Sequence, residues 1–221
     1  MSIYHLHIPR TSGVFVREFA INKSGKKVFS GHIRELPESF SNYDFISGHF
    51  ATTPIKDVDT NFAIFRNPVD LTFSYINYIR DKFHSYLSLE ELIEYYLTTN
   101  KIESFVNINS KFLTGEVDMP KYNKNITNLL QMAENCWFVK NYGTEIESIV
   151  DTIQKNKTIL VDFDNKEKYS RVSEILDIDL NGFKINESSI IEQNVINKYN
   201  NLITDLNMLD LEVWAYAKKQ A

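Results

Sequence analysis

The chain begins with a run of apolar and imidazole side chains, Ile3-Tyr4-His5-Leu6-His7-Ile8, which has strand character and stops at Pro9. A polar loop follows, Arg10-Thr11-Ser12-Gly13, and then Val14, Phe15, Val16 and Phe19 place apolar residues at helical spacing, predicting a helix near 13–22. Lys27-Val28-Phe29 and Tyr43 to Ile46 read as short strands. Asn61 to Phe65 is a continuous apolar run, the pattern of a strand buried on both faces of a parallel sheet. Asn67-Pro68 starts a helix, with proline in its first turn and Asp70 suiting its positive end. On that helix Leu71, Ser74, Tyr75, Tyr78 and Ile79 share one face. Residues 86–115 read as helical from a capped start at Ser88-Leu89-Glu90-Glu91. Beyond them the pattern predicts helices at 125–134 and near 144–155, and strands at Cys136-Trp137-Phe138-Val139 and Thr158 to Asp162. From Lys166 it predicts helices with loops at Asn181-Gly182 and near Asn200-Asn201.

Alternating strands and helices imply an α/β, P-loop-like three-layer fold, with a mostly parallel central sheet flanked by helices. No repeat, low-complexity tract or linker divides the 221 residues, so a single domain over 1–221 is expected. Ligands of such sheets sit at the carboxyl ends of the strands, and Arg10, His49 and Arg66 each directly follow a predicted strand. The first strand, loop and helix have the parts of an anion cradle. Main-chain N–H groups through Gly13 and Val14 converge with the positive helix end, and Arg10, Thr11 and Ser12 add a cation and two hydroxyls. The pattern GxxxxGK[ST] is absent, which argues against an ordinary nucleoside triphosphate loop and leaves Asp162, at a strand end, a structural acid.

A net charge of −5 means that a polyanion would be held by a local positive island, Arg10 and Arg66 with Lys111 as a third candidate, on an acidic protein. A broad basic surface for nucleic acid or a long sulfated polymer is not evident, so a neutral or weakly charged acceptor is expected. The single cysteine, Cys136, excludes an internal disulfide and fits a reducing compartment. No apolar run is long enough to cross a bilayer, and no membrane partner is expected. His5 and His7 alternate in the manner of an HxH metal pair, but a third ligand is not evident, and both are expected to be packed and hydrogen-bonded. No metal site is expected.

His7-Ile8-Pro9-Arg10-Thr11-Ser12-Gly13 resembles the 5′-phosphosulfate loop, HIPKTGG, of sulfotransferases that use 3′-phosphoadenosine 5′-phosphosulfate (PAPS). Phe62-Ala63-Ile64-Phe65-Arg66-Asn67-Pro68, running on to Ser74-Tyr75, is similar to the family's 3′-phosphate block, a strand followed by R-D-P-x-x-R-x-x-S-x-Y. Tyr43-Asp44-Phe45-Ile46-Ser47-Gly48-His49-Phe50 resembles the segment of carbohydrate sulfotransferases that carries a histidine base. Weaker likenesses follow. Ile108 to Gly115 is similar to Q-T-R-Y-L-S-G, and Met208 to Ala217 to a closing helix N-x-L-D-x-E-L-Y-x-Y-A. On these blocks the chain resembles a carbohydrate sulfotransferase of bacterial or viral type, similar to heparan sulfate 2-O-sulfotransferase-like enzymes, over nearly its whole length. Two positions depart from the pattern: Arg10 stands where the family has Lys, and Ser12 where it has Gly.

The resemblance implies transfer of a sulfuryl group from PAPS to a hydroxyl of a carbohydrate or similar small acceptor, leaving 3′-phosphoadenosine 5′-phosphate (PAP). It assigns Arg10 to the bridging oxygen, Thr11, Ser12 and the N–H groups of Gly13 and Val14 to the 5′-phosphate, Arg66 and Ser74 to the 3′-phosphate, and His49 to the base. Imidazole suits that last role because it titrates near neutrality. His32 is a rival base, since Ser30-Gly31-His32 repeats the tripeptide Ser47-Gly48-His49. Golgi relatives in animals carry a membrane anchor. Strand character starting at Ile3 leaves no room for a leader, so a cytoplasmic enzyme is expected. Two other readings stay open, a P-loop phosphotransferase and a catalytically silent nucleotide- or glycan-binding module.

Overall fold

Five short strands lie side by side in one direction, and their side chains alternate between two cores. A computed structural model describes residues 2–23, 25–31, 39–49, 58–114, 116–117, 139–140, 144–165, 167–179 and 190–220. The strands are β1 (Ile3–Leu6), β2 (Val28–Gly31), β3 (Phe45–Gly48) and β4 (Thr60–Phe65), then β5 (Glu116–Val117) and β6 (Val139–Lys140), which pair with each other as a separate antiparallel ribbon, and β7 (Thr158–Asp162). The main sheet is all parallel, in the order β2-β3-β1-β4-β7. Its register sets Leu6 opposite both Gly48 and Ala63, and Phe65 opposite Asp162. All five carboxyl ends therefore reach the same edge.

The helices are α1 (Gly13–Lys23), α2 (Pro68–Phe83), α3 (Leu89–Thr98), α4 (Ile108–Thr114), α5 (Ile146–Lys155), α6 (Lys168–Leu176), α7 (Gln193–Leu206) and α8 (Met208–Gln220). On one face of the sheet Ile3, Phe45, Phe62, Ile64 and Val161 meet Val16 and Ala20 of α1 and Val172, Ile175 and Leu176 of α6. On the other, Tyr4, Leu6, Ile46, Ala63, Phe65 and Leu160 meet the larger layer built on α2, α3, α4, α5, α7 and α8. This is the three-layer α/β arrangement that the alternating pattern predicts. Fully buried side chains such as Phe45 and Phe62 each contribute about 1.5–3 kcal/mol of apolar burial. No helix among the described residues is long and apolar enough to cross a membrane.

Most predicted elements lie within two residues of the observed ones, and two departures are instructive. The stretch 86–115 does start with a capping box, Ser88 accepting from Glu91 N while the Glu91 carboxylate accepts from Ser88 N. The helix nevertheless ends at Thr98. Asn100 and Asn107 take left-handed backbone at φ 58° and 50°, a 3-10 turn spans Lys101–Phe105, and the helix restarts at Ile108. Conversely, no loop interrupts Asn200-Asn201. Val195, Tyr199 and Ile203 form a buried stripe on α7, and packing of that stripe overrides the poor helix propensity of the exposed asparagines. The break comes at Asn207, whose side chain accepts from Asn107 N at 2.8 Å and donates to the Thr72 hydroxyl at 3.1 Å, tying the α7–α8 corner to α2 and α4. The elements predicted at 125–134, Cys136 to Phe138 and Asn181-Gly182 lie outside the described residues.

Candidate active site

The loop after β1 is held in an unusual backbone shape by its own groups. Arg10 and Ser12 both have positive φ, 63° and 67°, in the left-handed region that glycine tolerates best. The buried Thr11 hydroxyl donates to the Ile8 carbonyl at 2.7 Å and so clamps the turn. In this structure the single Thr11 hydroxyl proton is engaged in that contact. Val16 N bonds Ser12 O at 3.1 Å as α1 starts, and the first N–H groups of α1, at Gly13 and Val14, have no intrahelical acceptor. No acidic residue stands in this first turn. Glycine at 13 is required by close approach. A Cβ there would lie 1.8 Å from Cδ2 of His7.

Arg10, Arg66 and Ser74 come together. The Arg10 side chain leans along α2, its Nε donating to Ser74 Oγ at 3.3 Å and its guanidinium lying 4.9 Å from the Tyr78 ring centre, one turn further on. The two blocks expected to hold the 5′- and 3′-phosphates thus touch through their side chains. Arg66 leaves the end of β4 and points its Nη1 at the Arg10 carbonyl, 3.5 Å away, while its guanidinium packs 4.7 Å from the Phe163 ring centre. Arg66 Nε is buried and has no hydrogen-bond partner among the described residues. Burial draws both guanidiniums down from their ordinary range, and the Arg10 charge adds to the shift at Arg66. Asp70 and Asp164 oppose the shift at Arg66 through their fields. Arginine remains cationic throughout.

His49 follows β3 and stands at the same edge. Its Nδ1 is 2.6 Å from the carbonyl oxygen of His7, and a carbonyl can only accept, so Nδ1 carries the proton. In the neutral ring Nε2 is then the basic nitrogen, the one a general base needs. The His49 ring stacks on His7 at 4.0 Å between centres and meets Phe112 of α4 edge-on at 6.1 Å. His32 lies outside the described residues.

The remaining candidates resolve into structural roles. His5 is fully buried, hydrogen-bonded to Ser47 Oγ at 2.9 Å and stacked on Phe62, and burial holds it neutral, down to about 3, with His49 adding to the shift. Lys111 does not join the positive island. It is buried in α4, donates to the Glu103 carbonyl, and is drawn down to about 8 by burial against the pull of Asp210 and Glu103. Asp162 accepts from Asp164 N at 3.0 Å and faces Lys218 at 3.7 Å, as a structural acid would.

Three neighbours carry no marked pattern in the sequence. Lys168 places its ammonium 3.8 Å from the centre of the same Phe163 ring that Arg66 covers, and burial lowers it while Arg66 adds to the shift. Tyr169 lies near Ser12; burial raises its phenol, and its buried hydroxyl makes no hydrogen bond among the described residues. Asn109 donates to the Arg66 carbonyl at 3.1 Å and fixes the end of β4. A helix-start position for Lys168 directly after the last strand was the available signal; the others depend on tertiary contact. A cavity of about 690 Å³ runs along β7 between Lys157, Asp162, Lys168, Arg171 and Tyr216, and takes in none of the predicted site residues.

Comparison with protein-family models, curated proteins and solved structures gives no match to this chain.

Proposed function

We propose that the chain is a PAPS-dependent sulfotransferase acting on a hydroxyl of a carbohydrate or similar small acceptor. One observation carries the reading. Two partly buried arginines of like charge lie side by side at the carboxyl edge of the sheet, Arg66 Nη1 facing the Arg10 carbonyl, and the buried Arg66 Nε donor has no acceptor among the described residues. An anion relieves both the repulsion and the unsatisfied donor, and a nucleotide with phosphate at each end suits two arginines from two motif blocks. The motif resemblance supplies the identity of that nucleotide.

In this reading the N–H groups of Gly13 and Val14 and the Arg10 guanidinium hold the 5′-phosphosulfate, and Arg66 with Ser74 holds the 3′-phosphate. His49 Nε2 takes the acceptor proton as the acceptor oxygen attacks sulfur. The bond from sulfur to the bridging oxygen breaks, and PAP leaves with its electron pair, its new charge met by Arg10. The chemistry needs no metal. A cytoplasmic setting belongs to the same proposal, supported by a chain with one cysteine. The strained backbone at Ser12 favours a second reading, a module that binds the nucleotide and does not turn it over.

Calorimetry with PAP, ATP and adenosine 5′-phosphosulfate, together with release of PAP from labelled PAPS over an acceptor panel, tests the proposal. PAP is expected to bind without magnesium and better than ATP. Arg66→Ala should weaken PAP by about 10–100-fold, the loss of one charge-assisted bond, and adenosine 5′-phosphosulfate by much less. Equal losses for both ligands, or binding that depends on magnesium, would sink the donor assignment. Binding without any PAP release selects the silent module.

A further inference from the structure

We infer that His7 is a positioning residue for His49, and that Gly13 is the residue that gives it room. The inference rests on the role proposed for His49 and adds a residue to that site. His7 grips His49 in two ways at once. Its carbonyl accepts the Nδ1 proton at 2.6 Å, which decides the nitrogen left for base chemistry. Its ring stacks on the His49 ring at 4.0 Å with 26° between the planes, which decides where that nitrogen points. Hydrogen bonding through Nδ1 alone leaves a ring able to swing about the bond, and the stack removes that freedom.

The His7 ring is itself confined. It is buried, it has His5 behind it at 5.6 Å, and His5 is pinned by Ser47 and Phe62. Gly13 stands against it too, where an added Cβ would lie 1.8 Å from Cδ2 and 2.1 Å from Nε2. Gly13 is also the first residue of α1, so the anion cradle and the base share one imidazole as a common wall. The glycine of the loop thus serves the acceptor side of the reaction as well as the donor side.

The test compares His7→Leu, which fills the space without a flat ring, with His7→Phe, which restores one. Nitrogen NMR of the His49 ring in the full chain reads the tautomer, and steady-state kinetics reads kcat and the donor KM separately. Wild type should carry the proton on Nδ1. His7→Phe should keep that signature and a kcat within about threefold, and His7→Leu, which keeps the carbonyl, should keep the signature but lower kcat about 10–100-fold with donor KM little changed. A wild-type proton on Nε2 overturns the inference whether or not any variant folds. So does a His7→Leu protein with the wild-type kcat, or a His7→Phe protein as impaired as His7→Leu. Because the tautomer is read without turnover, a chain that transfers no sulfuryl group would overturn the proposed reaction and still report on His7.

Discussion

Two helices start at the carboxyl edge of the same sheet, α1 after β1 and α2 after β4, and they finish their first turns in opposite ways. At α2 the Asn67 side chain accepts from Val69 N at 3.0 Å and Asp70 N at 3.3 Å, Pro68 contributes no N–H, and Asp70 sets a carboxylate in the first turn. That start is closed. At α1 no acid stands in the first turn, the Thr11 hydroxyl turns back to Ile8, and two residues ahead of the helix take left-handed backbone. A start in the manner of α4 is closed from outside, by the buried Asp210 carboxylate of α8, which accepts from Asn109 N at 2.8 Å and Ser110 N at 2.7 Å. All three helices have the same dipole. What sets α1 apart is that neither an acid nor an Asn cap stands at its start. The cap at α2 stabilises by about 1 kcal/mol, whereas the left-handed residues before α1 cost about 1–3 kcal/mol each.

The sharpest way to break the comparison is one methyl group at each start. Gly13→Ala collides with the His7 ring, which stacks on both His5 and His49 and is not the far end of a flexible side chain. The expected loss is about 3 kcal/mol or more, a fall of roughly 6–12 °C in melting temperature. Asn67→Ala removes only a cap and should lose about 1 kcal/mol, or roughly 2–4 °C. Equal melting shifts for the two variants, measured by calorimetry, would mean that α1 is not built around the His7 ring.

The closed start of α4 can be tested by pH through Lys111. The folded protein holds this lysine down to about 8 against an ordinary 10.5, so between those values the unfolded chain binds a proton that the folded chain does not. Stability therefore rises with pH across that window, by about 2–3 kcal/mol at pH about 10. Lys111→Met should remove this rise, seen as the difference between urea midpoints of the two proteins at near-neutral and alkaline pH. Parallel profiles would place the ammonium in water instead of beneath α4.

Legibility followed the range of the forces involved. Asn61 to Phe65 and Thr158 to Asp162 were readable as strands because burial on both faces demands continuous apolar runs, and the starts at Asn67 and Ser88 because caps are local. Arg10, Arg66, Ser74 and His49 could be picked out as candidates because each sits just past a strand or on one helix face, and the structure sets Arg10 in contact with both Arg66 and Ser74. The engagement of Thr11 with Ile8, the burial of Lys111 and the His7–His49 stack were not readable, since each depends on what another segment brings. The loop expected near Asn200-Asn201 failed for the same reason: the stripe Val195, Tyr199 and Ile203 decides that helix, and its partners lie elsewhere in the chain.

The smallest expected effect concerns Ser12, where the α1 start departs from the motif it resembles. At φ 67° a residue with a Cβ loses about 1–2 kcal/mol, and glycine avoids that loss. Glycine also loosens the unfolded chain by about 0.5–1 kcal/mol, so Ser12→Gly should stabilise the protein by roughly 0.5–1 kcal/mol, or about 1–4 °C. Ser12→Ala separates backbone from hydroxyl, because it keeps the strain and removes the hydroxyl that lies near Tyr169. It should be slightly less stable than wild type. If Ser12→Gly instead melts below wild type, the Ser12 side chain contributes more than the backbone strain costs, and the start of α1 is held by a side chain after all. If both variants gain equally, the hydroxyl is the unfavourable element and the left-handed backbone is not strained.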